Sequence, residues 1–315
     1  MTFAKIITTG SYVPRKVVTN FDLAQQVDTS DEWIVQRTGI KSRHIALAEE
    51  TTVMMGAKAG AIALEKGGFS PSDIDLIIVA TTSSEKIFPS TACLIQNELK
   101  IPPCMAFDVQ AVCSGFLYAL SVATQYIENN QAKRALLIGT EAMSRVLDWS
   151  DRSTCILFGD GAGAVILEAA DIAGVLAIKL MADGKHKDLL YLNNALNTND
   201  KYLRMQGNAL FRVAVSYLEK ITLDVMKQAN FTASQIDWFI PHQANLRILQ
   251  ATAKRLGISM DKMIVTVDKH ANTSGASIPM ALDSALNSGK IKRGQHLLFE
   301  AIGGGLTWGA ALVRY

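Results

Sequence analysis

A thiol placed where a strand hands over to a helix has the clearest chemical reading in this chain. In the stretch Ala106–Asn129, AFDVQAVCSGFLYALSVATQYIEN, Ala106–Val109 reads as the end of a strand and Gln110–Ser114 as a tight connection. Gly115–Asn129 reads as a helix apolar almost all round, and a helix with no polar face belongs in the interior. Cys113 then lies at the positive end of that helix, where unsatisfied N–H groups favour a thiolate nucleophile. A small buried hydrophobe is the other role of a free cysteine, so the choice depends on what the rest of the chain brings to it.

Two further polar residues sit at comparable places. His242 follows the apolar strand Trp238–Ile240 in IPHQANLRI, with Pro241 ending the strand and a helix starting at Gln243; the C-terminal edge of a strand in an α/β protein is where ligands bind. His44, His186 and His296 have no such setting, and His270 stays open because it is close to Asn272. Asn272, in DKHANTSGASIPMAL, occupies a polar turn that opens a small-residue helix. It is either a helix cap or a neutral donor for a developing oxyanion. Gly303-Gly304-Gly305 follow the strand Leu297–Ala301 and would let backbone N–H groups approach a substrate, completing an oxyanion hole with that of Cys113. The run Gly159–Gly163 leads into a strand, with no lysine after it; this rejects dinucleotide and P-loop readings and leaves a tight buried turn.

The chain that must position these residues has 315 residues, 49% of them hydrophobic, enough for a large core near the length where one core becomes two units. A formal charge of +2 and a pI near 8.3 are too mild to imply a nucleic-acid partner. The N-terminus MTFAKIITTGSYVP shows no signal-peptide pattern, and the apolar stretch Ala162–Ala182 is interrupted by Glu168, Asp171 and Lys179, so a soluble cytoplasmic protein without membrane association is expected. Cys93, Cys104, Cys113 and Cys155 show no paired spacing, against both a disulfide framework and a zinc site.

Short apolar runs alternate with helical patterns. Ile74–Ala80, Cys104–Val109, Ala135–Gly139 and Ala164–Leu167 read as strands, and Thr52–Gly67, Ser90–Leu99 and Gly115–Asn129 as helices. Strands apolar on both faces between helices predict a mostly parallel sheet covered on both sides. The second half repeats the first. FSPSDIDLIIVAT from Phe69 returns as FTASQIDWFIPHQ from Phe231, 162 residues on. Asp108, Ser114 and Gly115 match Asp268, Ser274 and Gly275 at 160, Ala135-Leu136-Leu137 matches His296-Leu297-Leu298 at 161, and GAGAVIL from Gly161 resembles WGAALVR from Trp308. An ordered set of landmarks, three at 160–162 residues and the last at 147, means a duplicated α/β unit, with halves 1–171 and 172–315. Two such halves packed about a pseudo-twofold axis would bring Cys113, His242 and Asn272 into one pocket. The Asn-rich stretch from about Gly184 to Leu210 breaks the pattern and reads as a surface excursion that could cover a substrate entrance.

With these three residues together, the chain resembles the thiolase-fold condensing enzymes, and specifically the β-ketoacyl-acyl carrier protein synthase III family. GSYVP, DTSDEWIVQRTGI, ATTS, FPSTAC, FDVQAVCSGF, FGDGAGA, PHQANLRI, ANTSGASIP and AIGGGLTWGAALVRY fall in family order along essentially the whole length. The resemblance implies an α/β fold, the five-layered αβαβα sandwich of two duplicated halves, a homodimer, and a catalytic triad of Cys113, His242 and Asn272. It implies that Cys113 takes a short acyl group, acetyl above all, from coenzyme A, that malonyl-acyl carrier protein then loses carbon dioxide and attacks the acyl-enzyme, and that Cys113 and Gly305 supply the oxyanion-hole N–H groups. Coenzyme A thioesters enter as substrate, with no resident cofactor or metal. Trp33 and Arg152 resemble the residues that sandwich the adenine and Arg37 one near the phosphates. Asn208, Phe211 and Asn245 resemble those lining the pantetheine arm, and Phe88 the residue that closes the partner's acyl pocket. An acidic carrier protein needs a basic dock, for which Arg212, Arg247, Lys254 and Arg255 are the candidates. Val112, Ser114 and Gly275 are small departures bearing on chain preference more than on reaction type.

Three other readings compete. A carrier-independent or secondary-metabolite ketosynthase of the same fold is separated by carrier dependence. A Cys-His-Asn hydrolase needs an open cleft, which a buried helix behind Cys113 disfavours. A non-enzymatic acyl-CoA scaffold would have lost a triad residue, and all three are present.

Overall fold

The computed structural model describes residues 1–194, 196 and 198–315, so Ala195 and Asn197 of the Asn-rich excursion lie outside the described residues. Two sheets form the frame. The first runs, in spatial order, Phe3–Tyr12, Asp160–Ala170, Arg134–Ala142, Leu76–Ala80, Met105–Val109. The second runs Val175–Ala182, Thr307–Arg314, His296–Gly303, Trp238–Pro241. Alternate residues of one strand serve different layers, because successive side chains point to opposite faces. Leu76 and Ile78 pack inward with the helices Gly115–Glu128 and Ser277–Asn287, while Ile77 and Val79 pack outward against Thr52–Gly67 and Thr91–Glu98. In the second sheet Leu297 and Phe299 join the same inner layer, and Leu298 and Ile302 face the outer helices Gly207–Gln228 and Leu246–Leu256. The result is the αβαβα sandwich, with the Gly115–Glu128 helix in its central layer.

The sheets are mixed, which corrects the expected mostly parallel arrangement. Leu76–Ala80 runs parallel to both Met105–Val109 and Arg134–Ala142, and Trp238–Pro241 parallel to His296–Gly303. The remaining pairs are antiparallel. Parallel neighbours need a covering crossover, whereas His296–Gly303 and Thr307–Arg314 are joined by a three-residue turn. Apolarity on both faces does not reveal direction when the sandwich buries antiparallel strands equally. The run Gly159–Gly163 is also corrected: Asp160–Gly163 already belongs to a strand, and a Cβ on Gly163 would lie 2.6 Å from the Met280 backbone nitrogen.

The duplication holds in the backbone at a spacing of 162 as far as the His296–Gly303 strand. Leu76 pairs with Ala135 and Trp238 with Leu297, each of the second pair 162 residues after its counterpart, so Ala135 matches Leu297 and not His296; their next partners, Leu167 and Val313, are 146 apart. A short 3-10 turn Val112–Ser114 opens the Gly115–Glu128 helix, and Ser274–Ala276 opens Ser277–Asn287. The counterpart of Cys113 is therefore Gly275. Both turns begin with a non-glycine residue at positive φ, Val112 at 49° and Ser274 at 48°, rare for any residue and rarer for a β-branched one. The fifth strand of the second half is reduced to a bridge between Phe239 and Met263, with Ile264 N–H donating to Phe239 O at 2.9 Å.

Candidate active site

Each half presses a strand onto the other half's turn. A Cβ on Gly303 would lie 2.6 Å from the Cys113 nitrogen, and one on Gly139 would lie 2.3 Å from Gly275 O; only glycine permits either approach. Ser114 Oγ, 2.7 Å from Ala111 O and 2.8 Å from Thr307 Oγ1, braces the Cys113 turn from the second sheet. The close contacts explain why residues 113, 242 and 272 meet although far apart in sequence.

Cys113, His242 and Asn272 are all buried and line one cavity of about 410 Å³. Burial pushes the Cys113 thiol up to about 12, with the nearby Glu141 carboxylate adding to the effect. This burial opposes the stabilisation of at most about 2 kcal/mol that the helix end offers a thiolate. Glu141 is held by Thr82 N–H at 3.1 Å and by the Thr82 and Ser83 hydroxyls. Ser274 Oγ is buried beside Cys113 and Glu141 without a well-formed hydrogen bond to either. Asn272 is oriented by a donor-only partner: its Oδ1 accepts Ser274 N–H at 2.8 Å. Among the described residues its Nδ2 has no acceptor and can donate into the cavity. His242 N–H donates to Glu300 O at 2.7 Å, and Nδ1 lies 2.6 Å from Ser277 Oγ. Burial lowers the His242 imidazole to about 3, so the ring is neutral at physiological pH.

The same cavity reaches a basic, aromatic mouth. Arg37 and Arg152 both lie over the Trp33 indole, 5.0 and 5.1 Å from its centroid. Trp33 and Arg37 line the cavity, whereas Arg152 stays outside its wall and is tied to Asp28 O at 2.6 Å. Asn208, Phe211, Arg212, Asn245 and Arg247 also line it. Asn245 caps its helix through Arg247 N–H at 2.8 Å, and its Nδ2 donates to Arg37 O at 3.2 Å. Lys254 and Arg255 lie away from this wall, Arg255 paired with Glu219 at 2.6 Å. The excursion contributes Leu190, Met205 and Gly207.

A second cavity of about 140 Å³ also opens on Cys113, between Met143, Phe158, Leu203, Val112, Thr82 and Gln110. Phe88 borders neither cavity and is 83% exposed beside the exposed Ile87. Gly305 sits in the turn after His296–Gly303 and borders neither cavity; the glycine against Cys113 is Gly303. Sequence reasoning missed Ser277, Glu141, Ser274 and Gly303 as individuals. Only the glycine triplet carried a signal for any of them.

The chain matches the family models of 3-oxoacyl-[acyl-carrier-protein (ACP)] synthase III over residues 107–184 and of its C-terminal part over 226–315. It is 53% identical over 318 residues to β-ketoacyl-[acyl-carrier-protein] synthase III of Methylococcus capsulatus, covering 99% of each chain. Among solved structures it resembles 3-oxoacyl-[acyl-carrier-protein] synthase III from Aquifex aeolicus, with a TM-score of 0.96, 49% identity, and coverage of 99% of this chain and 100% of the other. It also resembles the priming β-ketosynthase of the R1128 polyketide pathway, with a TM-score of 0.95, 34% identity, and coverage of 99% and 96%.

Proposed function

The chain belongs to the β-ketoacyl-acyl carrier protein synthase III family, and from that premise we propose how its own residues run the decarboxylating condensation that starts fatty acid synthesis. The observation that carries the reading is a buried thiol at the junction of two cavities, a long one with a cationic, aromatic mouth and a short apolar one. Acyl-CoA enters by the long arm, with Arg37 and Arg152 on Trp33 beside its nucleotide and Asn208, Phe211 and Asn245 along its pantetheine. Cys113 sulfur attacks the thioester carbonyl, the C–S bond to coenzyme A breaks, and the thiol proton leaves on the coenzyme A sulfur. The acyl chain occupies the short cavity. A volume near 140 Å³ is close to one that accepts benzene, so starters up to roughly six carbons fit.

Malonyl-acyl carrier protein then occupies the long arm. Loss of carbon dioxide leaves its bonding pair as an enolate, whose oxygen receives hydrogen bonds from His242 and Asn272. The enolate carbon attacks the acyl-Cys113 carbonyl, and collapse with uptake of one proton returns the thiol and releases the 3-ketoacyl carrier. Cys113 N–H and a backbone N–H of the Gly303–Gly305 turn donate to the tetrahedral oxyanion; Gly304, which borders the short cavity beside Cys113, is better placed for this than the expected Gly305, and one such donor is worth about 3 kcal/mol. Arg212 and Arg247 at the mouth form the core of the dock for the acidic carrier, with Lys254 and Arg255 further along it. The exposed Ile87 and Phe88 support a homodimer in which Phe88 borders the partner's short cavity, and four free cysteines support a reducing, cytoplasmic setting. Residues 1–171 and 172–315 are the two halves of the sandwich.

The test is product formation from a series of acyl-CoAs with malonyl-acyl carrier protein. A 3-ketoacyl carrier from acetyl through about hexanoyl starters, falling off beyond, fits the reading. Equal turnover with free malonyl-CoA would favour the carrier-independent ketosynthase instead.

A further inference from the structure

We propose that Ser277 is a positioning residue that makes His242 a hydrogen-bond donor, by holding the ring in the tautomer whose single proton sits on Nε2, toward the cavity. Ser277 is the first residue of the Ser277–Asn287 helix, and its Oγ lies 2.6 Å from His242 Nδ1 and 3.3 Å from the Gln243 backbone nitrogen. Both are buried.

The hydrogens decide the direction. Gln243 N–H can only donate, so one lone pair of Ser277 Oγ is taken. With Nδ1 unprotonated, the serine O–H donates to it and every group in the trio is satisfied. With a proton on Nδ1, Ser277 Oγ would receive two donors, and no other acceptor for its own hydrogen is found among the described residues. The neutral ring carries one N–H, and the second-partner bond fixes which nitrogen holds it. The surrounding backbone is pinned so that this geometry cannot drift. His242 N–H donates to Glu300 O. The Gln243 amide donates to Pro241 O at 2.8 Å and Ile264 O at 3.1 Å and accepts from Thr266 N–H at 2.8 Å and Val267 N–H at 3.1 Å.

The consequence separates the two half-reactions. A ring protonated on Nε2 offers a donor to the enolate of the second step, and acyl transfer to Cys113 makes no call on that proton. The inference rests on the condensing reaction proposed above. Nitrogen NMR of the protein carrying 15N-histidine reads the tautomer of His242 directly, assigned by the signal lost in His242→Gln. A protonated Nε2 with an unprotonated Nδ1 is expected; a protonated Nδ1 overturns the proposal, with no variant of Ser277 needed. Ser277→Ala should retain acyl transfer from acetyl-CoA within about threefold and lose about 10- to 100-fold in condensation with malonyl-acyl carrier protein, by analogy with the loss when a metal-ligating histidine loses its orienting partner, and Ser277→Thr should restore it. Equal loss of both half-reactions in Ser277→Ala also overturns it. Wild-type protein that forms no 3-ketoacyl product would remove the reaction itself, whatever the tautomer.

Discussion

The turns Val112–Ser114 and Ser274–Ala276 are the same piece of backbone used twice. Each begins at an unusual positive φ and each opens a helix of the central layer. The first carries a thiol; the second carries Gly275 at the matching position and places Asn272 just ahead of it. The two halves thus share a strained, buried platform, and in the proposed mechanism the chemistry is divided between them: the nucleophile on one, the donors Asn272 and His242 on the other. Strain held by surrounding structure at both turns is consistent with a platform that must aim side chains at one point.

The division predicts its largest effect at the donors. His242→Ala and Asn272→Ala should each lower condensation about 10²–10³-fold while still accumulating acyl-Cys113, read as separate rates of coenzyme A release and ketoacyl formation. Failure of both variants to acylate would mean that the halves do not share the work this way. Next come the crossed glycines. Gly139→Ala drives a methyl into Gly275 O and should cost about 1–3 kcal/mol, visible as a lower denaturant midpoint. Gly275→Ala meets nothing closer than 3.4 Å and should be nearly neutral; equal costs would contradict the packing of each half on the other's turn. At the mouth, Arg247→Glu should raise the KM for malonyl-acyl carrier protein about tenfold, with a weaker salt dependence, and affect acyl-CoA loading less.

Much of this arrangement is legible in the residues. Short apolar runs locate Leu76–Ala80 and Met105–Val109 to within two residues but fall three to four short of the ends of Arg134–Ala142 and Asp160–Ala170, and the Phe69 and Phe231 segments give the true 162-residue spacing. The Ser-Gly match at 160 misled, because Ser114-Gly115 and Ser274-Gly275 share letters but occupy different places in their turns; the backbone register is set by strand pairing, which letters do not carry. Strand direction was hidden because a sandwich buries both kinds of sheet. The burial of Cys113 is not legible in the same way, because helix position is local, whereas enclosure by Gly303, Phe158 and Glu141 is a property of the assembled halves. Ser277 had no signal at all: five residues after Asn272, it acquires meaning only from the distant His242 ring.

The second half also holds the less comfortable carboxyl. Glu141 has several donors, whereas among the described residues Glu300 accepts a well-formed hydrogen bond from Thr222 alone, at 2.8 Å, and its buried Oε1 has no partner. Burial pushes the Glu300 carboxyl from 4.5 up to about 7. The folded state then holds a proton that the unfolded chain has already released, so this group's contribution to stability is complete below pH 4.5 and is lost as pH rises through about 7. Glu300→Gln should flatten that slope and raise Tm at pH 8 by about 2–4 °C relative to wild type, the smallest of these effects; an unchanged pH dependence of Tm would remove Glu300 from it.

The central claim, a thiol that accepts an acyl group at the meeting point of two cavities, is tested most directly by intact-protein mass after mixing with acetyl-CoA, followed by malonyl-acyl carrier protein, beside Cys113→Ser. One acetyl adduct per chain on Cys113, absent in the variant and discharged as a 3-ketoacyl carrier, is the predicted result. Folded wild-type protein that gains no mass with any acyl-CoA, or gains it equally in Cys113→Ser, would contradict the account.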